Sequence, residues 1–166
     1  YFGSCAEVSE KAFIALNTAF VSDGAFIHIS KNTKVENPIH LLFVTTGDVE
    51  DVVSYPRVLV VAEEGAQANI VESYIGLGEN TYLTSSVAEV YLEANANVSH
   101  YRVQRESTKA FHVSNIEVVQ EKDSNFSTHT FSFGGKLVRN EVNPVLDGEN
   151  IFSGLYGLNI LNKDQH

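Results

Sequence analysis

Glu72 and His100 are the two side chains in this sequence with the most scope for chemistry. Each stands three residues after an asparagine, Asn69 and Asn97, and the same offset from Asn125 and Asn150 reaches Thr128 and Ser153. If the four asparagines mark equivalent points of stacked coils about 4.8 Å apart, the Glu72 carboxylate meets the His100 imidazole directly. Such a pair can relay a proton or hold a metal transiently, and it can equally be one hydrogen-bonded step of a polar ladder. A catalytic or metal site needs a third convergent group, and Thr128 and Ser153 are weak candidates for it. His129 is one column off and faces the other way, His112 lies inside a strand-like run, and His28 and His40 have no companion.

Other site classes fare worse. Cys5 has no His or basic neighbour to lower its pKa, which argues against a nucleophile. Gly76-Leu77-Gly78-Glu79-Asn80 resembles part of a dinucleotide fingerprint, but no helix follows it and no third glycine arrives in place, so it reads as a turn. Gly134-Gly135 reads as a tight connection between strands. The stretch Glu117 to Asp123 alternates acids with Val118, Val119 and Lys122, which suits a solvated strand end better than a calcium loop.

The elements that would position Glu72 and His100 follow from the same asparagines. Asn69, Asn97, Asn125 and Asn150 recur at steps of 28, 28 and 25 residues, each followed by an apolar residue (Ile70, Val98, Phe126, Ile151). A period in the twenties built from strand-like sequence indicates coils that bury their apolar side only against neighbours. In a parallel stack the four amides can form a hydrogen-bonded ladder, and Asn also tolerates the left-handed backbone of a tight corner. Only Ser9 to Phe20 has helical spacing, with Phe13, Leu16 and Phe20 on one side, Ser9 as N-cap and Asn17 to Ser22 as the exit. Ser4-Cys5-Ala6-Glu7 offers an earlier capping box. Beyond Asp23-Gly24 the texture is strand after strand, predicted over 25–29, 39–45, 57–62, 68–75, 82–92, 97–104, 111–120, 126–133, 136–142 and 151–161.

These patterns predict residues 1–22 as an N-terminal segment with a capping helix and residues 23–166 as a β-solenoid core. Composition narrows the function. A net charge of −10 and eleven scattered Lys and Arg residues argue against nucleic acid, no apolar run is long enough to span a membrane, and one cysteine excludes an internal disulfide framework and fits a reducing compartment. A carbohydrate-active β-helix enzyme is the alternative on architecture alone, since such enzymes stack carboxylates on neighbouring coils. Its aligned acids here would be Glu93 and Glu121, at corners and without an aromatic platform.

Read in order, several words resemble one family. They are Asn17-Thr18-Ala19, Asp23-Gly24-Ala25-Phe26-Ile27, Glu36-Asn37-Pro38-Ile39-His40-Leu41, Pro56-Arg57-Val58-Leu59-Val60-Val61, and Gly65-Ala66-Gln67-Ala68-Asn69-Ile70-Val71-Glu72-Ser73-Tyr74. Later come His100-Tyr101-Arg102-Val103-Gln104-Arg105-Glu106, Gly134-Gly135-Lys136-Leu137-Val138-Arg139-Asn140 and Gly157-Leu158-Asn159. Their order and spacing are similar to the core of the SufD family of the SUF iron–sulfur cluster assembly machinery, over nearly the whole chain. The resemblance implies a right-handed parallel β-helix and a cytoplasmic, non-catalytic subunit that pairs with a SufB-like paralogue and binds a SufC-like ATPase. It implies no cofactor in this segment; the iron–sulfur cluster belongs transiently to the full complex. The sequence begins at Tyr1 without a methionine, which reads as a piece of a longer protein, and the resemblance implies a core truncated at its C-terminal end. A homo-oligomer is then expected through the last coils, around Phe152, Leu155, Tyr156 and Leu158.

Overall fold

The structure, a computed structural model, describes residues 3, 6, 11–46, 51–162 and 164–166. Cys5, Ser9 and the Ser4-Cys5-Ala6-Glu7 capping box therefore lie wholly or partly outside the described residues. Among the described residues one helix, α1 (Ala12–Phe20), precedes eleven strands: β1 (Asp23–Ile29), β2 (Ile39–Thr45), β3 (Val52–Ser54), β4 (Pro56–Ala62), β5 (Gln67–Gly76), β6 (Tyr82–Leu92), β7 (Asn97–Arg105), β8 (Phe111–Glu121), β9 (Asn125–Ser132), β10 (Leu137–Asp147) and β11 (Phe152–Asn159). The strands make a parallel β-solenoid of about four turns.

Successive strands alternate between two sheets. One runs β1-β4-β6-β8-β10, with β3 added beside β6, and the other runs β2-β5-β7-β9-β11. Every pairing is parallel. Alternation along each strand sends every second side chain inward: Ala68, Ile70, Glu72 and Tyr74 on β5 are buried, and so are Val98, His100, Arg102 and Gln104 on β7. Near the corner that joins the sheets the interior is apolar, with Ala62, Ile70, Leu92, Val98, Ile116 and Phe126 in one cluster. Pro144 is accommodated because β10 is an edge strand in the described sheet.

The asparagine register of the sequence needs correction. Asn97 does stand opposite Asn125, but Asn69 stands opposite Ser99, and the residue opposite Asn125 on the next coil is Phe152. Gln67 occupies the place expected for Asn69, so the steps in this column are 30, 28 and 27 residues, and a uniform 28 slips against them. Asn150 belongs to a different column. It sits at φ 57° in the corner, with Asn32 (57°), Gly65 (70°), Asn95 (62°) and Asp123 (61°) as its counterparts in the other turns. Backbone bonds tie that column together: Gly65 N donates to Ala94 O (3.0 Å), Asn95 N to Lys122 O (3.1 Å) and Asp123 N to Glu149 O (2.9 Å). A left-handed corner selects Asn, Asp or Gly, and this requirement produces the repeat. Three of these corners are also capped by a carboxylate from the following coil. Glu63 accepts from Lys31 N (2.7 Å), Glu93 from Glu64 N (2.9 Å) and Glu121 from Ala94 N (3.2 Å).

Helix α1 does not cover the end of the stack. It lies on the outer face of the first sheet, against β6 and β8, with Ile14 packed on Val87 and Ala6. Asn17, expected at the helix exit, is buried within it. Its amide nitrogen donates to Pro56 O (3.0 Å) and Ser85 O (2.8 Å), and its carbonyl oxygen accepts from Arg57 (3.1 Å). Arg57 pairs with Glu89 at 2.6 Å, and Glu89 also accepts from Gly3 N and Ala6 N, which fastens the N-terminal segment to this face.

At the opposite end, Phe152, Leu155, Tyr156 and Leu158 are each about half exposed but do not form one surface. By strand alternation Leu155 points along the open cross-section, whereas Phe152, Tyr156 and Leu158 stand on the outer face of the second sheet. At the edge of β10, His166 N donates to Lys136 O (3.1 Å) and its carbonyl accepts from Val138 N (2.8 Å), the two bonds of a parallel bridge across Leu137.

Candidate functional site

Toward the far end of each inward-facing strand, the interior turns from apolar to polar. Leu41 on β2, Glu72 on β5, Arg102 on β7 and Thr130 on β9 share one column, and Ile70, His100 and Thr128 share the one before it. Glu72 and His100 are thus diagonal neighbours rather than direct partners. They still meet: Nε2 of His100 lies 3.2 Å from Oε1 of Glu72, although the ring nitrogen is not aligned for a hydrogen bond. The aligned partner is Arg102, whose Nε and Nη2 donate to Oε2 of Glu72 at 3.2 and 3.0 Å. Tyr74 donates its hydroxyl to the same oxygen at 3.1 Å. His100 completes its shell through Nδ1, hydrogen-bonded with the Thr128 hydroxyl at 2.9 Å. Ser153 is elsewhere, opposite Phe126.

Electrostatics fix the charge state of this cluster. Burial pushes the Glu72 carboxyl upward, but the Arg102 guanidinium, with His100, more than offsets it and holds the group well below the usual carboxylate range. Burial acts against the charged form of Arg102 as well, and Glu72 overrides it. The Tyr74 phenol is pushed far up by burial and by the neighbouring carboxylate, so it remains a donor.

A second cluster lies across the interior, where Glu106 accepts from Thr84 (2.6 Å) and Gln104 (3.0 Å) and pairs with His112 Nδ1 (2.7 Å). Burial opposes the Glu106 charge, while the hydrogen bond and charge of His112 hold the carboxyl below its ordinary value. Burial, then Glu106, raises the Tyr82 phenol to about 12. The clusters join at Tyr74, whose ring meets the His112 ring edge-on at 4.8 Å and lies beneath the Arg102 guanidinium. Sequence reasoning identified Glu72 and His100 but missed Arg102, Glu106 and the part played by His112. The visible signal was alternation: His100, Arg102 and Gln104 are inward-facing positions of one strand, and ionisable residues on a buried face need partners.

One cavity reaches the network. A cavity of about 490 Å³ beside β2 and β4 is lined by Asp23, Phe43, Tyr55 and Pro56, with Tyr74, Thr84 and Glu106 reaching it from the network. Glu72, His100, Arg102 and His112 are sealed from it and from solvent. Among the described residues no group of three or more His, Cys, Asp or Glu is placed to hold a metal ion. No helix of the described residues is long and apolar enough to cross a membrane.

His129 lies outside, as expected, stacked between Tyr101 (4.9 Å) and Tyr156 (4.7 Å). His40 contacts the Ser73 hydroxyl at 2.9 Å and His28 pairs with Glu63 at 2.8 Å, so both have partners that the sequence did not disclose. The acids Glu93 and Glu121, which an enzyme of this architecture would need, are occupied as corner caps.

Comparison with known proteins bears on this arrangement. Residues 43–166 match the family model described as SUF system FeS cluster assembly, SufBD core domain, and residues 1–41 match the SufBD protein N-terminal region. The division falls inside the solenoid, within β2. An iron-sulfur cluster assembly SufBD family protein of Synechocystis is 37% identical over 150 residues, covering 86% of this chain and 33% of that protein. Protein ABCI7, chloroplastic, of Arabidopsis thaliana is 38% identical over 136 residues, 78% of this chain and 29% of its own length. A SufBD family protein of Staphylococcus haemolyticus is 30% identical over 153 residues, 90% of this chain and 32% of its own length. The chain spans about a third of the length of the curated relatives it matches.

Proposed function

The chain belongs to the SufBD family of iron–sulfur cluster assembly proteins, and on that premise we propose that it is a non-catalytic, SufD-like scaffold that pairs with a SufB-like paralogue and a SufC-like ATPase. One observation carries the scaffold reading: Glu72, His100, Arg102 and His112 are buried and held in ion pairs inside the solenoid, so none of these four is presented to a substrate. Glu72 is 0% and His100 1% exposed, and the charge on Glu72 is already committed to Arg102. A buried network of paired charges of this kind specifies register rather than turnover. The cluster itself is then cargo of the assembly, with its ligands outside residues 1–166, and the compartment is the reducing cytoplasm.

The test uses the full-length protein in cells that depend on its assembly system. The double substitution Glu72→Leu/Arg102→Met removes the charged pair at similar volume. The scaffold reading expects unchanged cluster delivery and unchanged co-purification with the SufB-like and SufC-like proteins. Loss of cluster delivery by a variant that still folds and still forms the complex would assign the network a chemical role.

A further inference from the structure

We propose that the cavity beside β2 and β4 is a binding site for a small organic cation, a primary ammonium carried on an apolar body. The site is independent of the SufD-like assignment. The gap that forms it, the acceptors on its floor and the rings on its sides each point to that class of ligand.

The cavity is the place of a missing strand. β6 is 11 residues long, and the coil before it covers β6 with β3 and β4 in turn, on either side of Tyr55. One coil earlier the chain enters the first sheet only at Asp23, opposite Pro56, because α1 lies on the outer face instead. Among the described residues no strand therefore pairs with the far edge of β3, and the interior is open there between β2 and β3.

The floor of that opening accepts hydrogen bonds and offers none. Thr84, Tyr74 and Glu106 reach it, and they are 2%, 2% and 7% exposed. Thr84 gives its hydroxyl hydrogen to Glu106 (2.6 Å) and Tyr74 gives its own to Glu72 (3.1 Å), since a carboxylate can only accept. Oε2 of Glu106 is taken by Gln104 and His112, whereas Oε1 accepts from Thr84 and keeps a lone pair. Burial opposes the charge on that carboxyl, and the hydrogen bond from His112 helps to override it. Acceptors grouped around one negative charge match a ligand that only donates, and an ammonium has three N–H donors and no acceptor. An anion would meet lone pairs alone, because among the described residues no Lys, Arg or His lines the cavity.

The sides suit the body of such a ligand. Phe43 lies flat against Tyr74 at 4.9 Å, and Tyr55 is braced by Phe20 at 5.4 Å. Aromatic rings pack against hydrocarbon and also attract a cation. Asp23, exposed at the mouth, and the net charge of −10 draw cations toward the opening. A volume of about 490 Å³ is in the range of small-molecule sites, and the burial of the floor admits a slender free molecule rather than a protein segment.

The test uses the full-length protein, in which a segment outside residues 1–166 that fills the cavity would register as absence of binding. Ligand-observed NMR with 2-phenylethylammonium from about 0.01 to 10 mM should give a dissociation constant of about 1 mM or less. 2-Phenylethanol, of similar shape without the charge, should bind at least about ten-fold more weakly. Glu106→Gln, where its melt shows a native fold, should weaken the amine by about ten-fold and leave the alcohol unchanged. Ser54 stands beside Thr84 in the β3–β6 register and faces inward with it, so Ser54→Trp should fill the cavity and abolish binding of both compounds. No binding of the amine up to about 10 mM overturns the proposal. Equal binding of amine and alcohol overturns it too, by reducing the site to an apolar hollow. So does amine binding that survives Ser54→Trp, which would put the site elsewhere.

Discussion

The two halves of the solenoid interior solve the same problem by different physics. Near the corner, Leu92, Val98, Ile116 and Phe126 fill the tube with apolar volume, which is non-directional and tolerates exchange of one such residue for another of similar size. At the far end of the same strands, Glu72, Arg102, His100, Glu106 and His112 fill it with charges and hydrogen bonds, each of which has a direction and a named partner. The contrast teaches where register comes from. A two-residue slip, which keeps each side chain on its own face, still places one apolar residue against another in the apolar half, but in the polar half it parts a buried charge from its partner.

The largest effect should come from emptying the apolar half. Phe126 is fully buried, and Phe126→Ala should lower stability by about 3–5 kcal/mol in denaturant melts, from lost transfer energy plus a cavity. A cost below about 1 kcal/mol would mean that this half can collapse, and the comparison would fail.

Next comes the polar half. Glu72→Gln keeps the shape but leaves Arg102 buried without its counter-charge, at a cost of about 3 kcal/mol at neutral pH. Its pH dependence sharpens the point. Glu72 and Glu106 are both held below their ordinary value, so they contribute stability that is fully present above the unfolded value near 4.5. That contribution is lost as pH falls toward their folded values. Wild type should therefore lose stability steeply below about pH 4.5, and Glu72→Gln less steeply. Equal acid limbs in the two proteins would show that Glu72 is not held as a carboxylate by Arg102.

The smallest effect should be Asn97→Ala. With Asn69 opposite Ser99, the four-membered amide ladder does not exist, and Asn97 is an exposed residue beside Asn125. Its replacement should cost no more than about 0.5 kcal/mol. By contrast Asn95→Ala, at a left-handed corner, should cost about 1–2 kcal/mol.

Most of the architecture was legible before any coordinates. Predicted strand limits such as 39–45 and 82–92 coincide with β2 and β6, because runs of Val, Ile, Tyr and Thr between Gly and Asn clusters carry their own boundaries. Strand β3 escaped because three residues leave no periodicity to read. The repeat was legible only in part. Glu63-Glu64-Gly65-Ala66-Gln67, Glu93-Ala94-Asn95-Ala96-Asn97 and Glu121-Lys122-Asp123-Ser124-Asn125 form a corner motif of a carboxylate cap, a left-handed residue and a small residue. Searching for Asn alone aligned Asn69 and Asn150 with the wrong neighbours, since coils of unequal length defeat a fixed period.

The sequence by itself determined the class of the molecule: parallel coils, one helix, a family resemblance, and an interior containing Glu72 and His100. These are local properties, set by alternation, corner chemistry and composition, and each is complete within a few tens of residues. Only the tertiary structure decided which side chains meet. Arg102, 30 residues beyond Glu72, became its true partner because one coil is two residues longer than the next, and Arg57 met Glu89 beneath a helix folded back on the sheet. Partnership in a buried low-dielectric interior depends on distances of a few ångströms, and in a solenoid those distances are set by the lengths of the loops between strands rather than by the strands themselves.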